Sequence, residues 1–341
     1  MARDRPLSAT YEAPPNIALV KYWGVRDPER VLPYNSSLSV TLAGMRSRTT
    51  VRFDPARTVD EVILNGAPAA DGPRAGVVDF LDRVRTIAGL RFGAEVRSDN
   101  NFPTASGLAS SASGFAALAG AATAAAGLSL SDRALSQLAR FGSGSAARSI
   151  FGGFVEWRAG ARADGVDCYA RALYPASHWP ALVDEVAFIA DAPEKEVRSK
   201  VAMQSSVRTS PGYAARIAEV PRRLARMRRA IGARDAATLF PLVMEECDSF
   251  REVCETTRPS LDYLTSASRA VLAEVRSINR AAGRPVAAYT HDAGAHVHVF
   301  TLRRHAPLVR RRLRRLPGVR SVLEVRPGPG AHRVDGAARR R

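Results

Sequence analysis

Residues 101–127 read NFPTASGLASSASGFAALAGAATAAAG. From Ser110 to Gly127 almost every residue is Ala, Gly, Leu, Phe or Ser, which predicts a buried helix whose small side chains let neighbouring backbones approach. The stretch before it, Asn101 to Gly114, can turn several backbone N–H groups toward one point while the helix N-terminus adds a partial positive charge. Together these make a phosphate cradle. Gly107 lets the backbone approach a phosphate, and Ser110 and Ser111 offer hydroxyls to phosphate oxygens or to Mg2+. No Lys follows the glycines, so the loop is not a Walker A sequence. Spacing alone leaves a plain small-residue helix start equally open.

Working outward, the residues ahead of this loop alternate β-rich runs with turns: Asn16 to Tyr22, Ser37 to Leu42, Thr49 to Phe53, Glu61 to Leu64 and Arg91 to Arg97, with a helical pattern at Val77 to Ala88. A second helix is predicted from Ser131, whose Ser-Asp start is cap chemistry. Further strands are expected at Gly153 to Arg158, Tyr169 to Leu173 and Glu185 to Asp191. Helices follow at Val197 to Ala218, Pro221 to Ile231, Ala236 to Glu255 and Ser266 to Ala282. A late hairpin, Val286 to Thr290 with His296 to Leu302, brackets the turn HDAGA, and a basic helix at Ala306 to Leu316 leads to a strand at Val319 to Val325. The texture is α+β. From about Pro327 the tail is rich in Gly, Pro and Arg and is expected to be disordered.

The chain has 341 residues, enough for two domains or one two-lobed unit. With 46% hydrophobic and 24% charged residues, whole-chain disorder is excluded. Its longest apolar stretches fall short of the roughly 20 residues a membrane-crossing helix needs. The first twenty residues carry acids among the arginines and no apolar run, so no secretory leader is expected and the protein is placed in the cytoplasm. The net charge of +17 raises the question of nucleic acid, but residues 303–341 alone hold thirteen arginines against Glu324 and Asp335, with no interleaved aromatics for base stacking. Neither specific nucleic acid nor membrane is expected as a partner. Three cysteines, Cys168, Cys247 and Cys254, lack any CxxC spacing and read as reduced core thiols.

The string PxxxGLxSSA after a strand resembles the phosphate-loop signature of the GHMP kinase superfamily, and PTASGLASSASGFAALA looks like its mevalonate diphosphate decarboxylase branch. NIALVKYWG at Asn16 to Gly24, LPYNSSLSVTL at Leu32 to Leu42, GSGSAARSIFGGFVEW at Gly142 to Trp157 and DAG at Asp292 to Gly294 agree with it in family order. The resemblance implies a GHMP kinase-like two-lobed fold: a ribosomal-protein-like N-terminal lobe over residues 1–185, a ferredoxin-like C-terminal lobe over 186–326, and the basic tail over 327–341. It also implies ATP and Mg2+ as cofactors. The reaction implied is phosphoryl transfer to the tertiary hydroxyl of a phosphorylated 3-hydroxy-3-methyl acid, followed by loss of phosphate and CO2. A homodimer is common in the family.

Each matched motif answers a need of that chemistry. A tertiary alcohol is a poor nucleophile, so a carboxylate must take its proton or hold it in line, and Asp292 is the candidate; read without the resemblance it is far more readily a plain turn residue. The substrate carboxylate needs a fork-shaped cation, and Arg148 in GSGSAAR matches the family's carboxylate-binding arginine. Lys21 lies in an apolar strand where an unpaired ammonium is costly, so it either points outward or meets an anion. The resemblance makes it the third catalytic residue. It further places Tyr22, Ser143, Ser145, Ser199 and Lys200 along the substrate, Trp23 as a packing residue, and Pro103, Ser106, Gly107, Leu108, Ala109, Ser110 and Ser111 on ATP, the last two serines also on Mg2+.

Two positions depart from the family pattern. The lysine expected after KYWG is Val25, followed by Arg26, which suits a monophosphate substrate unless Arg26 substitutes. The usual DAGPN turn is DAGAH, and His296 reads as a hairpin residue rather than a proton donor. Three alternatives stay open: a phosphomevalonate decarboxylase, a kinase that does not decarboxylate, and a non-catalytic basic binding protein.

Overall fold

Along β6 (Ser47–Asp54) buried residues alternate with more exposed ones, the period of a strand covered on one face. The computed structural model describes residues 7–102, 110–190, 192 and 199–334. β6 pairs with β1 (Leu7–Ala13) on one side and β9 (Gly93–Asn100) on the other, in a six-stranded sheet completed by β7 (Glu61–Leu64), β8 (Ala67–Pro68) and β16 (His332–Arg333). Its covered face packs Val51, Phe53 and Val96 against α1 (Asp71–Ala88) and α2 (Ser110–Ala125). α2 is the predicted small-residue helix, with Ala116, Ala117, Ala119, Ala121 and Ala122 all fully buried. One polar contact crosses this layer: Ser113 Oγ lies 2.7 Å from Ser47 Oγ.

A second sheet runs β11-β10-β5-β2, made of β2 (Asn16–Val20), β5 (Ser37–Thr41), β10 (Phe154–Trp157) and β11 (Ala170–Tyr174). Every residue of β2, β5 and β10 is buried, so this sheet is covered on both faces. A short ribbon of β3 (Val25–Asp27) and β4 (Leu32–Pro33) flanks it. α3 (Asp132–Gly142), capped by Ser131 as predicted, and α4 (Ala146–Ser149) lead into β10.

The third sheet joins β12 (Leu182–Ile189), β13 (Ala287–Thr290), β14 (Val297–Leu302) and β15 (Val319–Val325) in the order β13-β14-β12-β15. With α8 (Ser266–Ala281) before β13 and α9 (Ala306–Leu313) between β14 and β15, this is the split βαββαβ arrangement expected of a ferredoxin-like lobe. α5 (Ser199–Thr209), α6 (Tyr213–Ala233) and α7 (Ala236–Thr256) are inserted after β12. α6 and α7 bridge the halves: Ile17, Leu19 and Val40 share one core with Val220, Leu224, Phe240 and Val243, and with Leu182, Val186 and Phe300. The boundary expected at residue 185 therefore falls inside a strand, β12.

Two further expectations are corrected. The helix break before Pro221 does not occur; Pro221 lies inside α6, on its exposed face, where water can take the carbonyl its missing N–H leaves. The break comes instead at Ser210–Gly212. The described part of the tail, residues 327–334, is ordered. Gly328 N–H donates to the Thr41 carbonyl at 2.8 Å, Gly153 N–H donates to Gly328 at 2.9 Å, and β16 pairs with β1. Here the glycines mark close backbone approach rather than disorder: a Cβ on Gly330 would lie 2.3 Å from the Ile150 carbonyl oxygen. All three cysteines are free and buried.

Candidate active site

β2 ends at Val20, after its register with β5 slips between Ala18 and Val20, and Lys21 leaves the strand there. Its side chain turns inward. Nζ donates to Asp292 Oδ1 at 2.8 Å and to the Ala18 carbonyl at 2.7 Å, and the residue is 2% exposed. The same Ala18 carbonyl accepts Thr290 Oγ1 at 3.4 Å, so the end of β13 and the end of β2 meet beneath the turn that carries Asp292. Of the two sequence readings, the anion is the one realised.

Burial alone would raise the Asp292 carboxyl. The charge and hydrogen bond of Lys21, with His298 and Arg148 behind them, outweigh it and hold the group below its ordinary value. Asp292 is thus an ionised carboxylate whose side chain remains about a quarter exposed, at 24%. Behind the hairpin, His298 Nδ1 lies 2.6 Å from Asp184 Oδ2, with both side chains buried. His291, next to the base, is pulled by burial down to about 4 and is neutral.

Arg148 lies on α4, 2% exposed. Its Nε donates to Asn16 Oδ1 at 3.0 Å and its Nη1 to Ser37 Oγ at 2.7 Å. Asn16 is itself fixed by donating to Ser149 Oγ at 2.8 Å and to the Ser145 carbonyl at 3.2 Å. Two guanidinium positions are therefore spent on orientation, and Nη2 has no protein partner among the described residues. Burial lowers Arg148 to about 10, against the pull of Asp292 and Tyr22, so it stays charged at neutral pH. Asn16 and Ser37 went unassigned in the sequence; an Asn opening an apolar strand was the available signal.

Three serines follow from the ends of α2 and α3: Ser111 Oγ is 3.4 Å from Ser143 Oγ, which is 3.1 Å from Ser145 Oγ. Tyr22 packs over the turn between the latter two, since a Cβ on Gly144 would meet its ring at 2.7 Å, and stacks edge-on to Trp157 at 4.8 Å. Burial raises the Tyr22 hydroxyl, so it stays a neutral donor. Trp23 is a packing residue, edge-on to Phe250 with Nε1 donating to Ser206 Oγ at 2.9 Å.

Ser199 and Lys200 open α5, half-buried and exposed respectively, and no hydrogen bond among the described residues joins either to Lys21, Asp292 or Arg148. Pro103, Ser106, Gly107, Leu108 and Ala109 lie outside the described residues, while Ser110 and Ser111 are the first residues of α2. Arg26 Nη2 points at the carbonyls of Ala159, Gly160 and Arg162. His296 is a hairpin residue: Nδ1 accepts the Ile189 N–H at 3.1 Å, and burial lowers its ring to about 4.

The arrangement is a buried Lys-Asp-Arg cluster, net positive, below a serine-rich helix start that carries no acid in its first turn. The first-turn N–H groups there, which have no partner among the described residues, fit a polyphosphate together with the hydroxyls of Ser110, Ser111, Ser143 and Ser145. Among the described residues no three His, Cys, Asp or Glu side chains are grouped to hold a metal. The donors present thus fit a Mg2+ carried largely by phosphate oxygens with one or two protein hydroxyls.

These features define the class: a GHMP-type two-lobed α+β enzyme that acts on a phosphorylated small molecule. The sequence profile of the diphosphomevalonate decarboxylase-like N-terminal domain matches residues 13–170, and that of the mevalonate 5-diphosphate decarboxylase C-terminal domain matches 186–325. The chain is 42% identical over 321 residues to the human diphosphomevalonate decarboxylase, covering 89% of this chain and 79% of that one. It is 41% identical over 319 residues to the Aspergillus fumigatus enzyme, covering 88% and 78%. A solved structure described as MDDEF in complex with MVAPP, AMPPCP and magnesium superposes with a TM-score of 0.89 at 37% identity, covering 97% of this chain and 99% of that one. The Staphylococcus aureus mevalonate diphosphate decarboxylase gives 0.90 at 33%, with the same coverage. The chain belongs to the diphosphomevalonate decarboxylase family and is an ATP-dependent decarboxylase.

Proposed function

We propose that the protein converts mevalonate 5-diphosphate to isopentenyl diphosphate, and that Asp292, Lys21 and Arg148 carry the reaction. The observation that supports it most is the 2.8 Å contact between Lys21 Nζ and Asp292 Oδ1, which keeps a partly exposed carboxylate ionised beside a guanidinium with one open edge. Asp292 accepts or aligns the proton of the substrate's tertiary hydroxyl. Lys21 keeps Asp292 charged and in place. Arg148 holds the substrate carboxylate by its Nη2 edge, so that carboxylate lies fixed while its bond to the chain breaks to give CO2. Ser143, Ser145 and Tyr22 would donate to the substrate's oxygens, while Ser199 and Lys200, at the start of α5, are carried as substrate contacts on the family resemblance alone. Bound ATP with Mg2+ supplies the phosphoryl group that turns the hydroxyl into a leaving group; Ser110, Ser111 and the loop from Pro103 to Ala109 would hold it.

Val25 and the turning of Arg26 toward main-chain carbonyls favour a second reading, a monophosphate substrate giving isopentenyl phosphate. Side-by-side turnover of mevalonate 5-phosphate and 5-diphosphate, with ADP and CO2 both measured, decides between them. ADP release without matching CO2 would instead mean phosphorylation alone. A polyanion-binding role for the basic C-terminal part has less support, because Arg310, Arg312 and Arg326 are already paired with Glu185, Glu274 and Glu324. We place the protein in the cytoplasm on its free buried thiols. Among the described residues no helix is long and apolar enough to cross a membrane.

A further inference from the structure

Lys21 belongs to the N-terminal half, yet its main chain is gripped from the other half. Where pairing between β2 and β5 ends, the N–H and C=O of Lys21 lose their ladder partners and must find others. Glu246 Oε1, from α7, accepts the Lys21 N–H at 3.0 Å. Arg216 Nη2, from α6, donates to the Lys21 carbonyl at 3.4 Å and also pairs with Glu246, and Asn35 Nδ2 donates to the same carbonyl at 3.0 Å. Arg223 Nη1 holds the second Glu246 oxygen at 2.5 Å. Glu246 is fully buried and Arg216 nearly so, at 0% and 4%.

This is an expensive way to hold a fold together. Arg216 keeps Nε and Nη1 buried without partners, and a buried ion pair is weak grounds for stability, since apolar residues of equal volume often do as well. What the pair secures is direction. It fixes the peptide on both sides of Lys21, so the side chain departs toward Asp292, which sits in the same C-terminal half as α6 and α7.

We propose that Glu246 and Arg216 are positioning residues that set the catalytic geometry of Lys21 by clamping its main chain to the half of the molecule that carries Asp292. The proposal rests on the reading of Lys21 and Asp292 given above. It distinguishes reach from charge. Glu246→Gln keeps an acceptor at the same distance, whereas Glu246→Asp keeps the charge but withdraws the oxygens by one methylene.

The test measures kcat and KM on the full-length protein for both variants, alone and in a Lys21→Met background. The expected result is that Glu246→Asp lowers kcat by about 30-fold or more with KM for ATP within about twofold, while Glu246→Gln stays within about fivefold of the parent. With Lys21→Met already present, Glu246→Asp should cost less than about a further twofold, because its effect travels through the missing side chain. A Gln variant worse than Asp, or a loss that multiplies in the Lys21→Met background, overturns the proposal. An activity-independent arm uses the chain's sparse lysines: nitrogen-15 lysine labels only the amides of Lys21, Lys195 and Lys200. Exchange protection of the Lys21 amide should survive in Glu246→Gln and vanish in Glu246→Asp; equal protection in both overturns the clamp. If neither mevalonate ester is turned over by the parent protein, the functional reading fails and the amide exchange still judges the clamp.

Discussion

The Lys21 ammonium lies 2.8 Å from Asp292 Oδ1 across 271 residues of sequence, joining the end of a strand in one half to the late hairpin of the other. Without that contact Asp292 would be a buried carboxylate with a raised pKa, protonated more readily and a poorer base. A carboxyl held below its unfolded value stabilises the fold above that value, and the contribution is lost as pH falls through the folded pKa.

Lys21→Met removes the partner and leaves the burial. The acid limb of the kcat profile should move to higher pH by about one unit or more, with kcat at its plateau lower by about 100-fold. A kcat profile between pH 4.5 and 8.5 checks this; an unmoved acid limb contradicts the coupling.

Asp292→Asn keeps the shape of the side chain and removes the base. Turnover should fall by roughly 1,000-fold, within the range for loss of a general base, while an ATP analogue still binds. Coupled ADP and CO2 assays beside analogue titration read both quantities. Near-parental turnover would exclude Asp292 from the chemistry.

Arg148→Gln leaves Asn16 and Ser37 in place but removes the fork they orient. The expected loss is about 100-fold in kcat/KM for the acid substrate, with KM for ATP little changed. Steady-state kinetics with each substrate varied in turn measure it, and equal effects on both substrates would argue for general damage.

His291 and His296 are buried neutral, each lowered to about 4 from an ordinary 6.5. Between those values the unfolded chain binds protons that the folded one refuses, so stability is fully present above about 6.5 and drains as the solution is acidified, by on the order of 3 kcal/mol per residue. Tm should therefore fall between pH 7 and 4.5. His296→Asn, which can still accept the Ile189 N–H, should flatten that fall; thermal melts across this range test it.

Truncation after Val334 keeps the Gly328 hydrogen bonds and the β16 pairing with β1, whereas truncation after Arg326 removes both. The longer deletion should destabilise by about 1–3 kcal/mol, several degrees in Tm. Equal Tm values for the two truncations would show that the segment adds nothing.

Much of this protein is legible in its sequence. The Ala-rich helix, the Ser131 cap and the late hairpin announce themselves through local spacing, because helix and strand periods and cap chemistry act within a few residues, whereas the ferredoxin-like lobe follows from the family resemblance. Asp292 and Arg148 were found through motifs that are contiguous in the chain. Pro221 and the Gly-rich tail misled the reading because the environment outweighs local preference there: an exposed helix face tolerates a missing donor, and a glycine can serve close contact as well as disorder.

Short-range patterns in the chain fix the α+β class and the family, and the family resemblance in turn singles out Lys21, Asp292 and Arg148 as candidates. Only the tertiary structure decided which way Lys21 faces, that Asn16 and Ser37 aim Arg148, and that Glu246 and Arg216 hold the Lys21 main chain. Those relationships span more than a hundred residues. They exist because burial leaves charges and peptide groups no water to turn to, so each must take whichever partner the packed core brings within about 3 Å.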